Sequence, residues 1–264
     1  MEHEDTGYFR NVYDPAKQEG DDSCFICSLA GDWALAAGGM EPRLSRDMLH
    51  QALGSIRSKN MFEHGMTDQS ARAEKTSAFM QYPVAYFGAA ALFFGQSDLA
   101  WNFLTLQDRI VTKAPSSRYN QVMTYEASGT PQGLPYYMTA PVTWLFLDAL
   151  SGVVPDLDRQ RLRIGSDWLF RSEGARVPVV LSSSWFMLEC RREEREIRLN
   201  FIPVKTVRPF RVQELVVMCP DAASVRTVSV DGVEVEQRKE KGGRFVVPTG
   251  FDPGKERLRL EFCF

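Results

Sequence analysis

The sequence predicts an α+β fold, in which a helical, (α/α)-toroid-like segment is followed by an antiparallel β-sandwich. Up to about residue 152, apolar residues recur at helical spacing. After the segment GVVPDLDRQ, short runs of β-branched and aromatic residues alternate with polar ones and are separated by turn residues. A chain of 264 residues is long enough for two ordinary domains. We therefore expect a helical domain over residues 1–155 and a β-sandwich domain over residues 156–264.

The first half is predicted to contain helices joined by capping residues and glycines. The first predicted helix follows the capping residues Asp22 or Ser23 and ends at Gly38 and Gly39. Pro83 is expected to kink the third helix or delay its start. The predicted helices cover residues 24–38, 44–58 (capped at Ser45 or earlier), 76–95, 97–113 (opened by Ser97) and 136–151. Apolar helices alternate with amphipathic ones, a pattern typical of stacked helix pairs and α/α toroids.

Two long connectors interrupt the predicted helices, over residues 59–75 and 114–135. Unstructured stretches of this length are uncommon inside compact domains, and they often carry function. We expect both connectors to lie at the ends of the inner helices and to form a cleft there.

The second half contains short runs with β-strand character. Asp231 and Gly232 lie between two alternating runs, which is a strong signal for a β-hairpin. The strand-like runs cover residues 177–192, 196–204, 214–220, 225–236, 243–249 and 256–262.

Composition excludes several classes of function. The net charge of −3 and the pI near 5.8 argue against nucleic acid as the main partner, because phosphate binding needs excess Lys and Arg. The sequence has no apolar run of the roughly 18 residues that a membrane-spanning helix needs, and its acidic N-terminus is no signal peptide. The five cysteines form no framework spacing, so we expect a cytoplasmic protein without disulfides or cofactors.

Cys24 and Cys27 form a C-x-x-C pair near the start of the first predicted helix. Such a pair can be redox-active, because a helix N-terminus lowers the pKa of a thiol. A βαβ context is missing, and no second Cys or His pair completes a zinc site. We interpret both cysteines as small buried residues and predict no metal site. A thiol enzyme that uses Cys24 and Cys27 remains an alternative.

Asp32 and Trp33 are adjacent on the first predicted helix. A carboxyl beside an indole on a half-buried helix can have a pKa raised by desolvation, which suits a general acid. Asp32 could equally be an aspartate on the helix surface.

His64 and Glu126 are the candidate binding residues in the two connectors. His64 precedes Gly65 in the first connector, and Glu126 follows Tyr125 in the second. A carboxylate next to an aromatic ring suits a sugar, because the ring stacks on the C–H face while the carboxylate accepts from hydroxyl groups. The alternative for each residue is a solvated loop side chain.

Several short motifs resemble a known enzyme family. They are SLAGDWALAAGG, LHQALGSIRSKNMF, HGM, YFGAAALFF, YEASG and YYMTAPVTWLFLDALSG. In order and spacing, residues 9–152 resemble the end of the catalytic toroid of glycoside hydrolase family 116, the bile-acid β-glucosidase and non-lysosomal glucosylceramidase family. The resemblance implies an (α/α)6 fold and retaining hydrolysis by two carboxylates.

The chain departs from that family at several key positions. The part of the toroid that holds the family's nucleophile has no counterpart here, and its acid/base Asp falls on Cys27. Asp32, one helical turn further on, is the nearest carboxyl. The family's sugar contacts fall on residues 79–81, Thr139 replaces an Arg, and only Glu126 matches a sugar-binding carboxylate. The resemblance therefore implies either a divergent relative with a relocated site or a non-catalytic, partial unit.

The sequence thus predicts a glycoside-hydrolase-like protein that cleaves an O-glycosyl bond with paired carboxylates. We expect Asp32 to be the acid/base, and Glu126, His64, Trp33 and Tyr125 to bind the carbohydrate. The alternative is a non-catalytic carbohydrate-binding or interaction module of a larger assembly. Because the predicted helices make about half of a six-pair toroid, a second copy or a partner chain is expected to cover the open apolar side.

Overall fold

The computed structural model has an α+β architecture, with helices in the first half and mainly antiparallel sheets in the second. The residues it describes are 7–9, 12–62, 65–67, 69–70, 79–113, 122, 124–125, 130–133, 144–219, 224–240 and 244–264. The chain divides into two compact units. The helical unit consists of Met1–Ala36 and Met40–Phe146, and the β unit consists of Ala37–Gly39 and Leu147–Phe264. The predicted domain boundary at residues 155/156 remains a prediction.

The elements follow one another as helices linked by very short strands and then as longer strands. The helices are α1 (Ala30–Ala37), α2 (Arg46–Asn60), α3 (Gln81–Phe93), α4 (Ser97–Lys113), α5 (Trp144–Ser151) and α6 (Asp167–Arg171). The short strands before α5 are β1 (Val12–Asp14), β2 (Glu19–Asp21), β3 (Met61–Phe62), β4 (Gly65–Met66), β5 (Phe79–Met80), β6 (Thr124–Tyr125) and β7 (Pro131–Gln132). No helix among the described residues is long and apolar enough to cross a membrane.

Two of the predicted helices form close to their expected limits. α4 spans residues 97–113 as predicted. α2 begins directly after Ser45, whose hydroxyl accepts a hydrogen bond from the backbone N–H of Met48 at 3.3 Å. This bond satisfies one of the N–H groups that a helix start leaves without a partner, so the predicted N-cap is confirmed.

The first helix is shorter than predicted, because residues 24–29 are not part of α1. The backbone N–H of Cys24 donates to the Ser70 hydroxyl at 2.8 Å, and the Ser70 N–H donates to the Cys24 carbonyl at 3.0 Å. Phe25 also forms an isolated antiparallel bridge with Gln69. In a helix starting at residue 24 the Cys24 carbonyl would accept from the Ser28 N–H, but it accepts from Ser70, and the Ser28 N–H donates to the Phe25 carbonyl instead. The predicted cap at Asp22 or Ser23 is therefore wrong.

α3 begins at Gln81, which places Pro83 in its first turn. A proline is tolerated there, because the first N–H groups of a helix have no intrahelical acceptor. The delayed start that Pro83 predicted is therefore confirmed, while residues 76–78 lie outside the described part of the chain. Of the last predicted helix, residues 144–151 are helical, and residues 136–143 lie outside the described residues. The toroid-like arrangement of these helices remains a prediction.

The β unit consists of two sheets. Its strands are β8 (Val154–Asp156), β9 (Arg161–Ile164), β10 (Gly174–Val180), β11 (Ser184–Glu193), β12 (Glu196–Thr206), β13 (Val212–Met218), β14 (Thr227–Val230), β15 (Val233–Glu234), β16 (Arg238–Glu240), β17 (Arg244–Phe251) and β18 (Leu258–Cys263). One sheet has the order β10-β11-β12-β18-β14-β15, and the other has the order β16-β17-β13-β9-β8. Along β10 and β11, buried and more exposed residues alternate, as the period of two predicts.

The inner faces of the two sheets contribute to one hydrophobic core. Phe201 on β12 packs against Phe251 on β17, with ring centroids 5.2 Å apart, and Phe245 on β17 lies 6.4 Å from Phe262 on β18. Contacts between rings of facing sheets are typical of a β-sandwich.

The hairpin that the sequence predicts in this unit is confirmed. Asp231 and Gly232 have φ values of 51° and 82°, as a two-residue type I′ hairpin requires, and Val230 pairs with Val233. The sheets are mainly antiparallel, and β9, which the sequence pattern does not predict as a strand, pairs in parallel with β13.

Candidate functional site

Short strands from the two predicted connectors lie side by side in the helical unit. β3 and β4 of the first connector pair through Met61–Met66 and Phe62–Gly65. β6 of the second connector pairs with β5 and with β7. β4 also lies next to β5. The strands β4, β5 and β6 therefore bring backbone from both connectors together directly before α3, and we call this place the connector edge.

The connector edge brings together two segments that the resemblance to family 116 assigns to sugar binding. Phe79, the first residue of the segment 79–81, is the register partner of Tyr125. Glu126 directly follows Tyr125, and His64 lies between the paired residues Phe62 and Gly65 in the sequence. His64 and Glu126 lie outside the described residues, as does the side chain of Tyr125, so their roles remain predictions.

Trp33 is buried in the helical unit, with 8% of its surface exposed. Its ring makes edge-on contacts with Tyr86 at 5.4 Å and Phe93 at 6.3 Å, both on α3. The Nε1–H of Trp33 is buried and has no acceptor among the described residues. A buried indole N–H normally donates a hydrogen bond.

Asp32 holds a turn of the backbone in place. Its Oδ1 accepts hydrogen bonds from the backbone N–H groups of Arg43 at 2.7 Å and Leu44 at 3.0 Å. A carboxylate that accepts two N–H groups is fixed in position, and here it ties the segment before α2 to the first turn of α1. The sequence predicts Asp32 as a catalytic acid. It carries no local signal for this structural role, since the N–H groups that donate to Asp32 lie 11 and 12 residues away.

A buried polar network attaches the first connector to the segment before α1. Asn60 is fully buried, and its Nδ2 donates to the carbonyls of Cys24 at 2.9 Å and Thr67 at 3.2 Å. The Thr67 N–H donates back to the Asn60 carbonyl at 2.9 Å. Sequence analysis missed this network, although an Asn at the end of an amphipathic helix was a usable signal for a side chain that binds backbone.

The C-x-x-C pair lacks the properties of a redox site. None of the five cysteines forms a disulfide, and Cys24 is buried while Cys27 is only partly exposed. Burial raises the pKa of the Cys24 thiol to about 11, which outweighs the opposite influence of Lys59. A reactive cysteine needs the thiolate, so Cys24 is a poor nucleophile at neutral pH. Among the described residues, no group of His, Cys, Asp and Glu could hold a metal ion.

Asp148 is an acidic residue that the sequence analysis did not select. It is the single charged residue of the α5 sequence WLFLDALS, and desolvation raises the pKa of its carboxyl above the ordinary value. A lone acid in an apolar helix was the signal that could have identified it.

Comparison with known proteins finds structures of similar fold and no match in sequence. No known family model and no curated protein sequence matches the chain. The chain is similar to the structure of α-L-rhamnosidase from Dictyoglumus thermophilum, with a TM-score of 0.51 and 10% identity, over 88% of this chain and 25% of that chain. It thus spans about a quarter of that enzyme's length.

Other similar structures are also glycoside hydrolases. The α-L-rhamnosidase of Streptomyces avermitilis complexed with L-rhamnose has a TM-score of 0.47 and 12% identity, over 95% of this chain and 22% of that chain. The GH127 β-L-arabinofuranosidase of Geobacillus stearothermophilus T6 has a TM-score of 0.34 and 11% identity, over 90% of this chain and 41% of that chain. The likeness to the Dictyoglumus enzyme shows a fold shared with part of a glycoside hydrolase, and the comparisons do not identify family 116.

Proposed function

We propose that the chain is a glycoside-hydrolase-like protein that acts on a carbohydrate or glycoside by hydrolysing an O-glycosyl bond with paired carboxylates. The observation that carries the proposal is the similarity of fold to an α-L-rhamnosidase over 88% of the chain. The proposal includes a toroid-like arrangement of the helices and a divergent relationship to family 116. The proposal also includes a reducing compartment such as the cytoplasm, because none of the five cysteines forms a disulfide.

The connector edge is the proposed carbohydrate site. Both connectors contribute backbone to it, so side chains distant in sequence can share one ligand. In this proposal Glu126 and His64 bind sugar hydroxyl groups and Tyr125 stacks on the sugar ring. Trp33 forms a wall of the site, and its Nε1–H, which has no acceptor among the described residues, is available to a ligand oxygen.

Asp32 is the proposed acid/base. The two backbone N–H groups on its Oδ1 hold the carboxyl in a fixed position, and a pre-positioned group loses little entropy when it reacts. The stereochemical outcome depends on the distance from Asp32 to the second carboxyl. A separation of about 5 to 5.5 Å gives retention and one of about 6.5 to 9.5 Å gives inversion.

The alternative function is a non-catalytic carbohydrate-binding or interaction module of a larger assembly. The observation that favours it is the small share, 25%, of the α-L-rhamnosidase chain that this chain covers. In that case a second copy or a partner chain completes the toroid.

A panel of aryl glycosides tests the proposal, including 4-nitrophenyl α-L-rhamnopyranoside, β-D-glucopyranoside and α-L-arabinofuranoside. We expect measurable turnover by the unaltered chain. Because general acid–base catalysis contributes about 10²–10⁴-fold, Asp32→Asn should lower kcat at least about 100-fold. Glu126→Gln should raise KM, because it weakens the binding of hydroxyl groups.

The choice of substitution separates chemistry from structure at Asp32. Asparagine keeps an Oδ1 that can accept from Arg43 and Leu44, whereas Asp32→Ala removes the acceptor. A stable but inactive Asp32→Asn variant supports the acid/base role. Full activity of Asp32→Asn together with a destabilised Asp32→Ala variant would leave Asp32 a structural role alone. Saturable binding of a glycoside without turnover would support the alternative function.

A further inference from the structure

One end of the six-stranded sheet in the β unit carries an exposed tryptophan. Trp185, at the start of β11, is 40% exposed, and its register partners are Val180 on β10 and Lys205 on β12. The Nζ of Lys205 lies 5.2 Å from the centre of the Trp185 ring. Three valines are also exposed. Val180 is the register partner of Trp185, and Val204 and Val207 lie within two residues of Lys205 in the sequence. An exposed indole offers a flat surface on which a ligand can stack.

A β-bulge shapes this end of the sheet. The register of β11 against β12 shifts between Trp185 and Phe186, so that Trp185 faces Lys205 whereas Phe186 faces Pro203. Val204 is the extra residue and is 61% exposed. Bulges change the direction of side chains and recur beside functional sites.

One further basic residue is held at the same end. The N–H groups of Val207 and Arg208 both donate to the Ser183 carbonyl, at 2.8 and 2.9 Å, which holds the Arg208 backbone beside the start of β11. We call Trp185, Lys205 and Arg208 the Trp185 surface.

The positive charge of this surface is not neutralised within the described part of the chain. Lys205 and Arg208 are exposed and form no ion pair with any described acidic side chain. The surface therefore presents two basic side chains in a chain with a net charge of −3.

We propose that the Trp185 surface binds an acidic saccharide, with the sugar ring stacked on Trp185 and its anionic group paired with Lys205 and Arg208. Charge complementarity selects an anion, and the exposed indole selects a ligand with an apolar face. A uronic acid residue offers both features, since it carries ring C–H groups and a carboxylate. The inference rests on the proposed function, because it assumes a carbohydrate ligand. It deepens that function by giving the ligand a negative charge.

The test is calorimetric binding of oligogalacturonate to the full chain, with the methyl-esterified oligomer as a neutral ligand of the same backbone. We expect the acid form to bind more tightly, and to bind more weakly at high salt, because salt screens exposed charges. Trp185→Ala should weaken binding about tenfold or more, and Trp185→Phe should restore part of it. Lys205→Met should remove much of the difference between the two oligomers.

Matched controls exist elsewhere in the chain. Trp101 on α4 is 39% exposed, so Trp101→Ala removes an equally accessible indole. Lys239 lies 5.6 Å from the Phe245 ring centre, so Lys239→Met removes a cation with a similar ring contact. Neither should change binding more than about twofold.

Several results would overturn the inference. They are no binding of oligogalacturonate, equal binding of both oligomers, an unchanged affinity in Trp185→Ala, or equally tight binding of duplex DNA at the same salt concentration. Oligogalacturonate binding is measured without turnover, so it can be observed even if the chain hydrolyses no aryl glycoside. Hydrolysis of an aryl glycoside can likewise be observed even if oligogalacturonate does not bind.

Discussion

The two units of the chain differ in what holds their segments together. In the β unit, strands of up to 11 residues bury alternate side chains in one apolar core. In the helical unit, the connectors form strands of two residues, and polar side chains such as Asp32 and Asn60 bind the backbone of distant segments. Hydrophobic burial therefore holds the strands of the β unit together, whereas specific hydrogen bonds position the segments of the proposed carbohydrate site.

The largest effect is expected from a cavity in the apolar core of the β unit. Phe201 is fully buried, and its ring centre lies 5.7 Å from that of Phe186 and 5.2 Å from that of Phe251. We expect Phe201→Ala to lower the free energy of unfolding by about 3–5 kcal/mol, because it removes buried area and leaves a cavity. Guanidinium denaturation followed by circular dichroism measures this change.

Val233 provides the control for the core substitution, since it is 67% exposed on the hairpin strand β15. Val233→Ala should change the free energy of unfolding by no more than about 0.5 kcal/mol. A loss below about 1 kcal/mol in Phe201→Ala would contradict the view that apolar packing holds this unit together.

A smaller effect is expected from a close helix contact in the helical unit. A Cβ at Gly88 on α3 would lie 2.2 and 2.5 Å from two ring atoms of Phe146, which is itself buried. The ring would have to move, so we expect Gly88→Ala to lower the free energy of unfolding by about 1–3 kcal/mol.

Gly54→Ala on α2 is the matched substitution, and its expected effect on the free energy of unfolding has the opposite sign. Apart from its own helix backbone, no atom of the described residues lies within 4 Å of a Cβ built there. Gly54→Ala should therefore raise the free energy of unfolding by about 0.5–1 kcal/mol, because alanine restricts the unfolded chain. Equal effects of the two substitutions in thermal unfolding would show that the contact between Gly88 and Phe146 is absent.

The sequence predicted those parts of the fold that depend on local pattern. Alternation predicted the long strands, and Asp231–Gly232 predicted a hairpin that the φ values confirm. β9 escaped prediction because its sequence RLRI is only four residues long, and its parallel partner β13 begins about 50 residues later. Pairing over that distance leaves no local signal.

Tertiary hydrogen bonds explain what the sequence could not predict in the helical unit. Residues 24–29 have helical spacing, but the bonds between Cys24 and Ser70 keep them out of α1. In the proposed site, connector length and the family resemblance pointed to segments whose backbones meet at the connector edge. The register between Phe79 and Tyr125 depends on chain partners 46 residues apart, which periodicity does not reveal.

Amide hydrogen exchange tests the central claim, that both connectors form one carbohydrate site, most directly. It should be measured with and without the glycoside from the panel that binds most tightly. We predict that the ligand slows exchange together in peptides covering residues 61–66, 79–81 and 124–126, because one ligand contacts backbone from β4, β5 and β6. Slowing that is confined to the β unit, or to one connector alone, would contradict the account.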